Sequence, residues 1–274
     1  MNILIPLGTG SKWDNNELRY MLRSLQQNLK GEYEIYLLGT EIPDWITNVI
    51  PFKVNRFYPE WLLNENGGVK HYEQYFDTLN KIWTYCQNRE GDFCYMYDDV
   101  LLLKPLLIDN IRNVPLEKYE EKMGNKSPYL TKHHNTILTA IEIISIYNTQ
   151  VYNYETHIPR IYNGKISKDL IESNPFWKLK IPYSFATYYC NTILSIEHIF
   201  EKQQSIEEIK AGFYFDEGIA SYDSTCTEEI DKATEEKTWI NYNDKALHFK
   251  NGLGNKPLLE WIEKKFPNKS KYEL

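Results

Sequence analysis

The sequence predicts an α/β protein with a mostly parallel sheet flanked by helices and a more helical, elaborated second half. Over about the first hundred residues, short apolar runs alternate with segments of helical period, which is typical of parallel sheets covered on both faces. The chain has 274 residues, 42% of them hydrophobic, which is enough for a substantial core. No repeat or clear linker interrupts it, so we expect one domain over residues 1–274.

Each strand predicted in the first half is a mainly apolar run of strand length. The runs are NILIPL (2–7), EIYLLG (34–39), VIPFKV (49–54) and DFCYMYDD (92–99). Glycines 8 and 10 close the first run. Since ligands of such sheets bind outside the carboxyl ends of the strands, the loops that follow these runs are the first places to look for a site.

Apolar residues three and four apart mark the predicted helices. The first helix follows cap candidates at 14–16 and carries Leu18, Met21, Leu22, Leu25 and Leu29. The second carries Tyr75, Leu79, Ile82, Trp83 and Cys86. Further helices are expected at about 135–147, 167–173, 187–200 and 257–265.

Composition and charge indicate which binding partners and which cellular compartment to expect. The net charge of −7 argues against duplex nucleic acid as the main partner, although a local basic groove would still allow it. The four cysteines show no CxxC pair or metal-ligand spacing, so free thiols in a reducing cytosol are the simplest interpretation. No apolar run approaches the length of a membrane span and the first residues do not resemble a signal peptide, so we expect a soluble, cytoplasmic protein.

Two adjacent aspartates, Asp98 and Asp99, follow the apolar run of the fourth predicted strand. Like charges side by side repel, and burying either is costly without a cation. A solvated turn is one explanation. The other is a site for Mg²⁺ or Mn²⁺, which bind through one or two carboxylates plus substrate phosphates.

The loop after the first predicted strand falls at the same edge of the sheet. Its glycines permit close approach of a ligand to the backbone, so we expect Leu7, Gly8, Thr9, Gly10 and Ser11 to contact a bound ligand.

The stretch YMYDDVLLLKP (95–105) resembles the DXD-type motif of glycosyltransferases with the GT-A fold, a Rossmann-like architecture. The resemblance implies a nucleotide-sugar donor, such as a UDP-sugar, and a Mn²⁺ or Mg²⁺ ion held by Asp98 and Asp99 against its diphosphate. Residues 1–105 would then bind metal and nucleotide sugar, and residues 106–274 would supply acceptor and catalytic groups.

A second resemblance is to the Stealth family of sugar-phosphate transferases. NNELRYMLRSLQQNL and EIYLLGTEIPDW are similar to its ELxYxLRS region, although YDD stands here where that family has NDD. In NYETHIPRIYNG (153–164), Glu155, His157 and Arg160 bring an acid, an imidazole and a guanidinium together, which suits proton transfer and phosphate binding. HIPR is similar to the Stealth HxP block, which implies that His157 is catalytic; a histidine satisfied by local backbone groups is the alternative.

The segment ALHFKNGLGNKPLLEW (246–261) resembles the HxxGxxKPW motif of metal-dependent retaining glycosyltransferases. The resemblance implies that His248 is a further metal ligand and that Lys250 or Lys256 reaches the diphosphate. The spacing here is longer and Leu258 replaces the usual tryptophan, so a buried structural histidine is the alternative.

Three weaker signals complete the set. Asp216 and Glu217 fit either a general base or, preferably, a helix cap. Asp77 and Lys81, four apart on a helix, fit either a nucleotide contact or an ordinary surface ion pair. EKKFPNKSKYEL (263–274) reads as an exposed basic tail.

These observations predict a metal-dependent glycosyltransferase acting on a hydroxyl acceptor, either a glycan precursor or, less favoured, a modified base in DNA. Transfer of sugar-1-phosphate, as in Stealth proteins, is the first alternative. A non-catalytic sugar or nucleotide binder on the same fold is the second.

Overall fold

The structure, a computed structural model, describes residues 1–8, 11, 14–56, 73–113, 117–118, 132–146, 151–154, 158–179, 181–197, 212–215, 238–242 and 256–274. Its strands are β1 Asn2–Pro6, β2 Leu29–Lys30, β3 Glu34–Gly39, β4 Ile50–Lys53, β5 Asp92–Tyr95, β6 Val100–Leu102, β7 Leu106–Leu107, β8 Glu117–Lys118, β9 Tyr152–Asn153, β10 Arg160–Asn163, β11 Gly212–Phe215 and β12 Trp239–Tyr242. Its α-helices are α1 Asn16–Asn28, α2 Glu73–Cys86, α3 Lys132–Ile144, α4 Gly164–Ser173, α5 Pro175–Leu179, α6 Phe185–Glu197 and α7 Lys256–Lys265.

The main sheet has five strands in the order β10-β5-β1-β3-β4. Strands β5, β1, β3 and β4 run parallel, whereas β10 joins β5 antiparallel at the edge. The predicted mostly parallel sheet flanked by helices is therefore confirmed. All four strands predicted in the first half are present within two residues of the expected start, and β3 has the predicted bounds.

Strand β1 lies at the centre of the sheet and contributes to both hydrophobic cores. Ile3, Leu4 and Ile5 are each fully buried, and successive side chains point to opposite faces. Ile3 and Ile5 pack with α1, whereas Leu4 packs with the core formed by α2, α3, α4 and α6. Because both faces are covered, the strand reads as a continuous apolar run.

A smaller sheet extends from the main one in the order β11-β12-β6. Strand β6 follows β5 after a short turn and pairs antiparallel with β12. Two polar residues on the buried face of α1 hold β6: the Leu102 N–H donates to Ser24 Oγ at 3.0 Å, and Asn28 Nδ2 donates to the Leu102 carbonyl at 2.7 Å. Helix α1 therefore fixes where the chain leaves the main sheet.

The start of α1 differs from the expected side-chain cap. Asn15 is the residue before the helix, but it has φ 52° and its side chain makes no capping bond. Its N–H instead donates to Ser11 Oγ at 2.9 Å. Asp14 also has positive φ, so a left-handed turn of two residues leads into the helix, and both are of the types that tolerate this conformation.

The C-terminal segment is docked, which corrects the expectation of an exposed tail. Phe266, Tyr272 and Glu273 are buried. The Glu273 carboxylate accepts hydrogen bonds from Nε and Nη2 of Arg23, at 2.8 and 2.7 Å, and one from Nη1 of Arg19 at 3.2 Å. Backbone contacts to the 45–48 turn complete the docking, including Leu274 N–H to the Trp45 carbonyl at 2.8 Å. The lysine-rich composition obscured the apolar and acidic residues that anchor the segment.

Three of the four cysteines, Cys86, Cys94 and Cys190, are buried and form no disulfide within the described part of the chain, and Cys226 lies outside it. Burial raises the pKa of the Cys86 thiol to about 12. None of the helices in the described ranges combines the length and the apolar character that a membrane span requires.

Candidate functional site

Asp98 and Asp99 lie in a half-buried turn between β5 and β6. Because β5 runs parallel to β1, the turn sits at the edge of the sheet where both strands end. The Met96 N–H donates to the Leu4 carbonyl at 3.0 Å, which extends the pairing toward the turn. The last paired residues are Leu4 and Tyr95, and Leu7 and Asp98 each come three residues later in their segments. The structure thus brings two of the predicted site segments to one edge.

The end of β1 is held from both sides. The Leu7 N–H donates to the Leu38 carbonyl at 2.7 Å, and the Leu7 carbonyl accepts from Lys81 Nζ at 2.7 Å. Gly8, the next residue, is exposed. The backbone at Gly8 is therefore exposed and held in place at the edge of the sheet that carries the aspartate turn.

Lys81 and Asp77 form a buried ion pair, not the surface pair that the sequence allowed. Their side chains are 3% and 8% exposed, and Nζ lies 2.5 Å from Asp77 Oδ2. Asp77 Oδ1 is buried and has no hydrogen-bond partner among the residues that the structure describes. A buried cation and carboxylate thus stand directly behind the Leu7–Gly8 backbone.

Arg160 begins β10 and, among the described residues, is the largest of the fully buried side chains, at 2% exposure. Its Nε and Nη2 donate to the Tyr154 carbonyl at 3.1 and 2.8 Å, and Nη1 lies 3.5 Å from the Tyr97 hydroxyl. Burial raises the pKa of the neighbouring Tyr95 hydroxyl well above its usual range, and the Arg160 guanidinium opposes this effect. The guanidinium is therefore part of the protein interior at the functional edge, the edge of the sheet where β1 and β5 end and the Asp98–Asp99 turn lies.

Several predicted site residues lie outside the described part of the chain, and their roles stay predictions. They are Thr9, Gly10, Glu155, His157, Asp216, Glu217, His248 and Lys250. Lys256 is the first residue of α7, and Asp216 directly follows β11. The Ser11 hydroxyl accepts the Asn15 N–H and so helps to form the start of α1.

Three residues that support the aspartate turn were not identified from the sequence: Ser24, Asn28 and Tyr97. Ser24 and Asn28 are buried polar residues four apart on the apolar face of α1. Polar residues at core positions of an amphipathic helix are the signal that could have found the first two, because buried polar groups need partners. Nothing local marks Tyr97, whose contact with Arg160 depends on the pairing of β10 with β5.

The donor chemistry at this edge suits a hard divalent cation that is shared with a substrate. Two adjacent carboxylates are present, and the described residues contain no group of three or more potential protein ligands. Mg²⁺ and Mn²⁺ are commonly bound by one or two carboxylates and complete their coordination with waters and phosphates. The residues present therefore fit such an ion when a phosphate-bearing ligand accompanies it.

Comparison with known proteins supports the fold through structure and not through sequence. No family model matches the chain, and no curated protein matches it in sequence. The structure of an active-site mutant of LgtC superposes with a TM-score of 0.51 at 12% identity, over 99% of this chain and 98% of that one. This likeness shows that the chain has the fold of the GT-A-type glycosyltransferases.

Two further solved structures are similar at a lower level. The galactosyltransferase LgtC in complex with donor and acceptor sugar analogues gives a TM-score of 0.47 at 11% identity, over 96% of each chain. The glycosyltransferase GlyE of Streptococcus pneumoniae TIGR4 gives 0.39 at 10% identity, over 95% of this chain and 59% of that one.

Proposed function

We propose that the protein is a metal-dependent glycosyltransferase that moves a sugar from a nucleotide sugar to a hydroxyl acceptor. The observation that carries the proposal is the Asp98–Asp99 turn at the carboxyl edge of a GT-A-type sheet, beside the exposed backbone at Gly8. Ligands of such sheets bind at that edge.

In this proposal Asp98 and Asp99 would hold Mn²⁺ or Mg²⁺, with His248 as a candidate additional ligand. A bound ion would supply positive charge to offset the charge that develops on the leaving diphosphate. The Leu7–Ser11 segment would contact the nucleotide. Lys81 keeps the Leu7 carbonyl in place through its hydrogen bond, so that the backbone needs little reorganisation when the donor binds.

The chemistry requires a base near the acceptor hydroxyl. Glycosyl transfer breaks the bond between the anomeric carbon and the diphosphate oxygen, forms a bond to the acceptor oxygen and releases one proton. Glu155, His157, Asp216 and Glu217 are the candidates to take that proton, and Lys250 or Lys256 is the candidate to hold the leaving diphosphate. We favour a glycan precursor over a DNA base as the acceptor because the net charge is −7.

The first test is metal-dependent donor binding. A thermal-shift panel of nucleotide sugars, UDP-sugars first, is measured with and without Mn²⁺, because a ligand that binds the folded state raises its melting temperature. We expect the donor to raise the melting temperature only when Mn²⁺ is present. In Asp98→Asn and Asp99→Asn the apparent affinity for the donor should fall by at least about 10-fold, the scale for losing groups of a metal site.

Asp109→Asn is the matched control because this carboxylate is exposed and lies beyond β7, away from the turn. Undiminished, metal-independent binding in both turn variants would disprove the metal site.

The second test identifies the transferred group by chromatography of the spent nucleotide. Glycosyl transfer releases nucleoside diphosphate, whereas the Stealth-type alternative cuts the diphosphate bridge and releases monophosphate. We expect diphosphate, with slower but measurable turnover in His157→Ala. Monophosphate as the sole product, abolished in His157→Ala, would replace the proposal with sugar-phosphate transfer. Donor binding without turnover of any donor would favour a binding protein.

A further inference from the structure

We propose that Arg160 is a positioning residue that fixes the Asp98–Asp99 turn through Tyr97, an inference that rests on the proposed function. The turn is anchored on its far side by Ser24 and Asn28, which hold Leu102. On the near side the turn follows Met96 and Tyr97 directly, so its position there depends on what holds these two residues.

The strand pairing places Arg160 at the functional edge. Strand β10 is antiparallel to β5, and Arg160, its first residue, lies opposite Tyr95, the last residue of β5. The side chain therefore stands beside the point where β5 gives way to the turn.

The guanidinium of Arg160 joins two segments at once. Nε and Nη2 both donate to the Tyr154 carbonyl, which fixes the plane of the fork. In that orientation Nη1 lies 3.5 Å from the Tyr97 hydroxyl, and Cζ lies 5.7 Å from the centre of the Tyr97 ring. A lysine has a single nitrogen and cannot reproduce this planar arrangement.

Tyr97 transmits the restraint to the turn. Its ring packs edge-on against Tyr95 with centroids 5.2 Å apart, so the ring is held by Tyr95 and by Arg160. Because Tyr97 is bonded to Asp98, a change in the position of Tyr97 reorients the first carboxylate. At 2% exposure, Arg160 is better suited to this role than to direct contact with a phosphate.

The test compares Mn²⁺ affinity, measured by calorimetry on the full chain with UDP present to supply phosphate oxygens, in Arg160→Lys, Tyr97→Phe and the double variant. We expect Arg160→Lys to weaken Mn²⁺ binding by about 10- to 100-fold, as for partners that orient metal ligands. Tyr97→Phe keeps the ring and removes the hydroxyl, so a loss of about 2- to 10-fold is expected. The double variant should lose less than the product of the single effects because the two residues act together.

The matched control is Tyr189→Phe. Its hydroxyl accepts the Asn163 N–H at 2.7 Å, at the opposite end of β10 from Arg160. This variant should lower stability and leave Mn²⁺ affinity unchanged. In steady-state assays with Mn²⁺ as the varied component, Arg160→Lys should raise the KM for Mn²⁺ more than it lowers kcat, a split that a general loss of stability would not give.

Two outcomes separate this inference from the proposed function. If the wild-type protein binds Mn²⁺ and turns over a nucleotide sugar but Arg160→Lys and Tyr97→Phe match the control, the positioning role is overturned alone. If the wild-type protein binds no Mn²⁺ even with UDP present, the proposed function and this inference fall together. Should Arg160→Lys not fold, Tyr97→Phe decides the question.

Discussion

At the scale of single residues, two buried cationic side chains lie at the functional edge, and they have different hydrogen-bond partners. Lys81 is paired with the carboxylate of Asp77 and with the Leu7 carbonyl. Arg160 donates to the Tyr154 carbonyl and contacts the Tyr97 hydroxyl. Each cation therefore ties a strand end to a neighbouring segment, Lys81 at β1 and Arg160 at β5.

Lys81→Met should strongly destabilise the protein. The change leaves the Asp77 carboxylate buried without its counter-charge, and breaking a buried pair in this way costs roughly 3–5 kcal/mol. Urea unfolding monitored by fluorescence measures the change in the free energy of unfolding. The double variant Asp77→Leu, Lys81→Met removes both charges and should recover most of the loss. A single variant as stable as the wild type would contradict the buried pair.

At the scale of elements, the contact between α4 and the loop after α2 requires a glycine. A Cβ at Gly164 would lie 2.1 Å from the Arg89 carbonyl oxygen, a distance that backbone atoms cannot accommodate without moving. The Gly164 N–H also donates to the Gly91 carbonyl at 3.0 Å, so the two segments are pinned together. The start of α4, and with it the end of β10, is set by this approach.

Gly164→Ala should therefore lower the free energy of unfolding by about 1–3 kcal/mol, the cost of overpacking a close contact. Gly91→Ala is the matched control, because a Cβ there meets no atom within 4 Å. Thermal unfolding of the two variants side by side measures the difference. Equal melting temperatures for both variants would mean that the close approach at Gly164 does not exist.

The elements that the sequence predicts well are those whose pattern is local. Helix α1 could be predicted from apolar residues three and four apart, and strands β3 and β5 from continuous apolar runs. Strand β10 was not predicted, because a four-residue edge strand acquires its partner through pairing with a distant segment. The candidate site divides in the same way. The aspartate turn could be found from the chain, whereas the hydrogen bonds from α1 to Leu102 and the contact of Arg160 with Tyr97 depend on how the elements pack.

At the scale of the whole molecule, a charged clamp joins the last residues to the first helix. Glu273 accepts from Arg23, Arg19 and Ser270, and the Arg19 guanidinium lies 4.3 Å from the centre of the Trp45 ring. Burial raises the pKa of Glu273, but the hydrogen bonds from Arg23 and Ser270 outweigh it and lower the pKa from 4.5 to about 2.

The clamp should make stability depend on pH in acid. Because the folded-state pKa of Glu273 is depressed, its stabilisation is fully present above about pH 4.5 and is lost as the pH falls toward 2. Glu273→Gln should flatten the fall in the free energy of unfolding over this window, measured by urea titration at each pH. Glu32→Gln, at an exposed site, is the control and should keep the wild-type slope. A wild-type slope in Glu273→Gln would contradict the clamp.

The clamp also determines the order in which parts of the protein can fold during synthesis. Arg23 and Glu273 are 250 positions apart, so α1 leaves the ribosome long before its acidic partner has been translated. Until then Arg19 and Arg23 lack the Glu273 carboxylate, and the turn at 45–48 lacks the backbone partners that residues 271–274 provide. The central strands β1 and β3 can pair early because they are close in sequence. This face of the molecule can therefore close only after residues 271–274 have been translated and have left the ribosome.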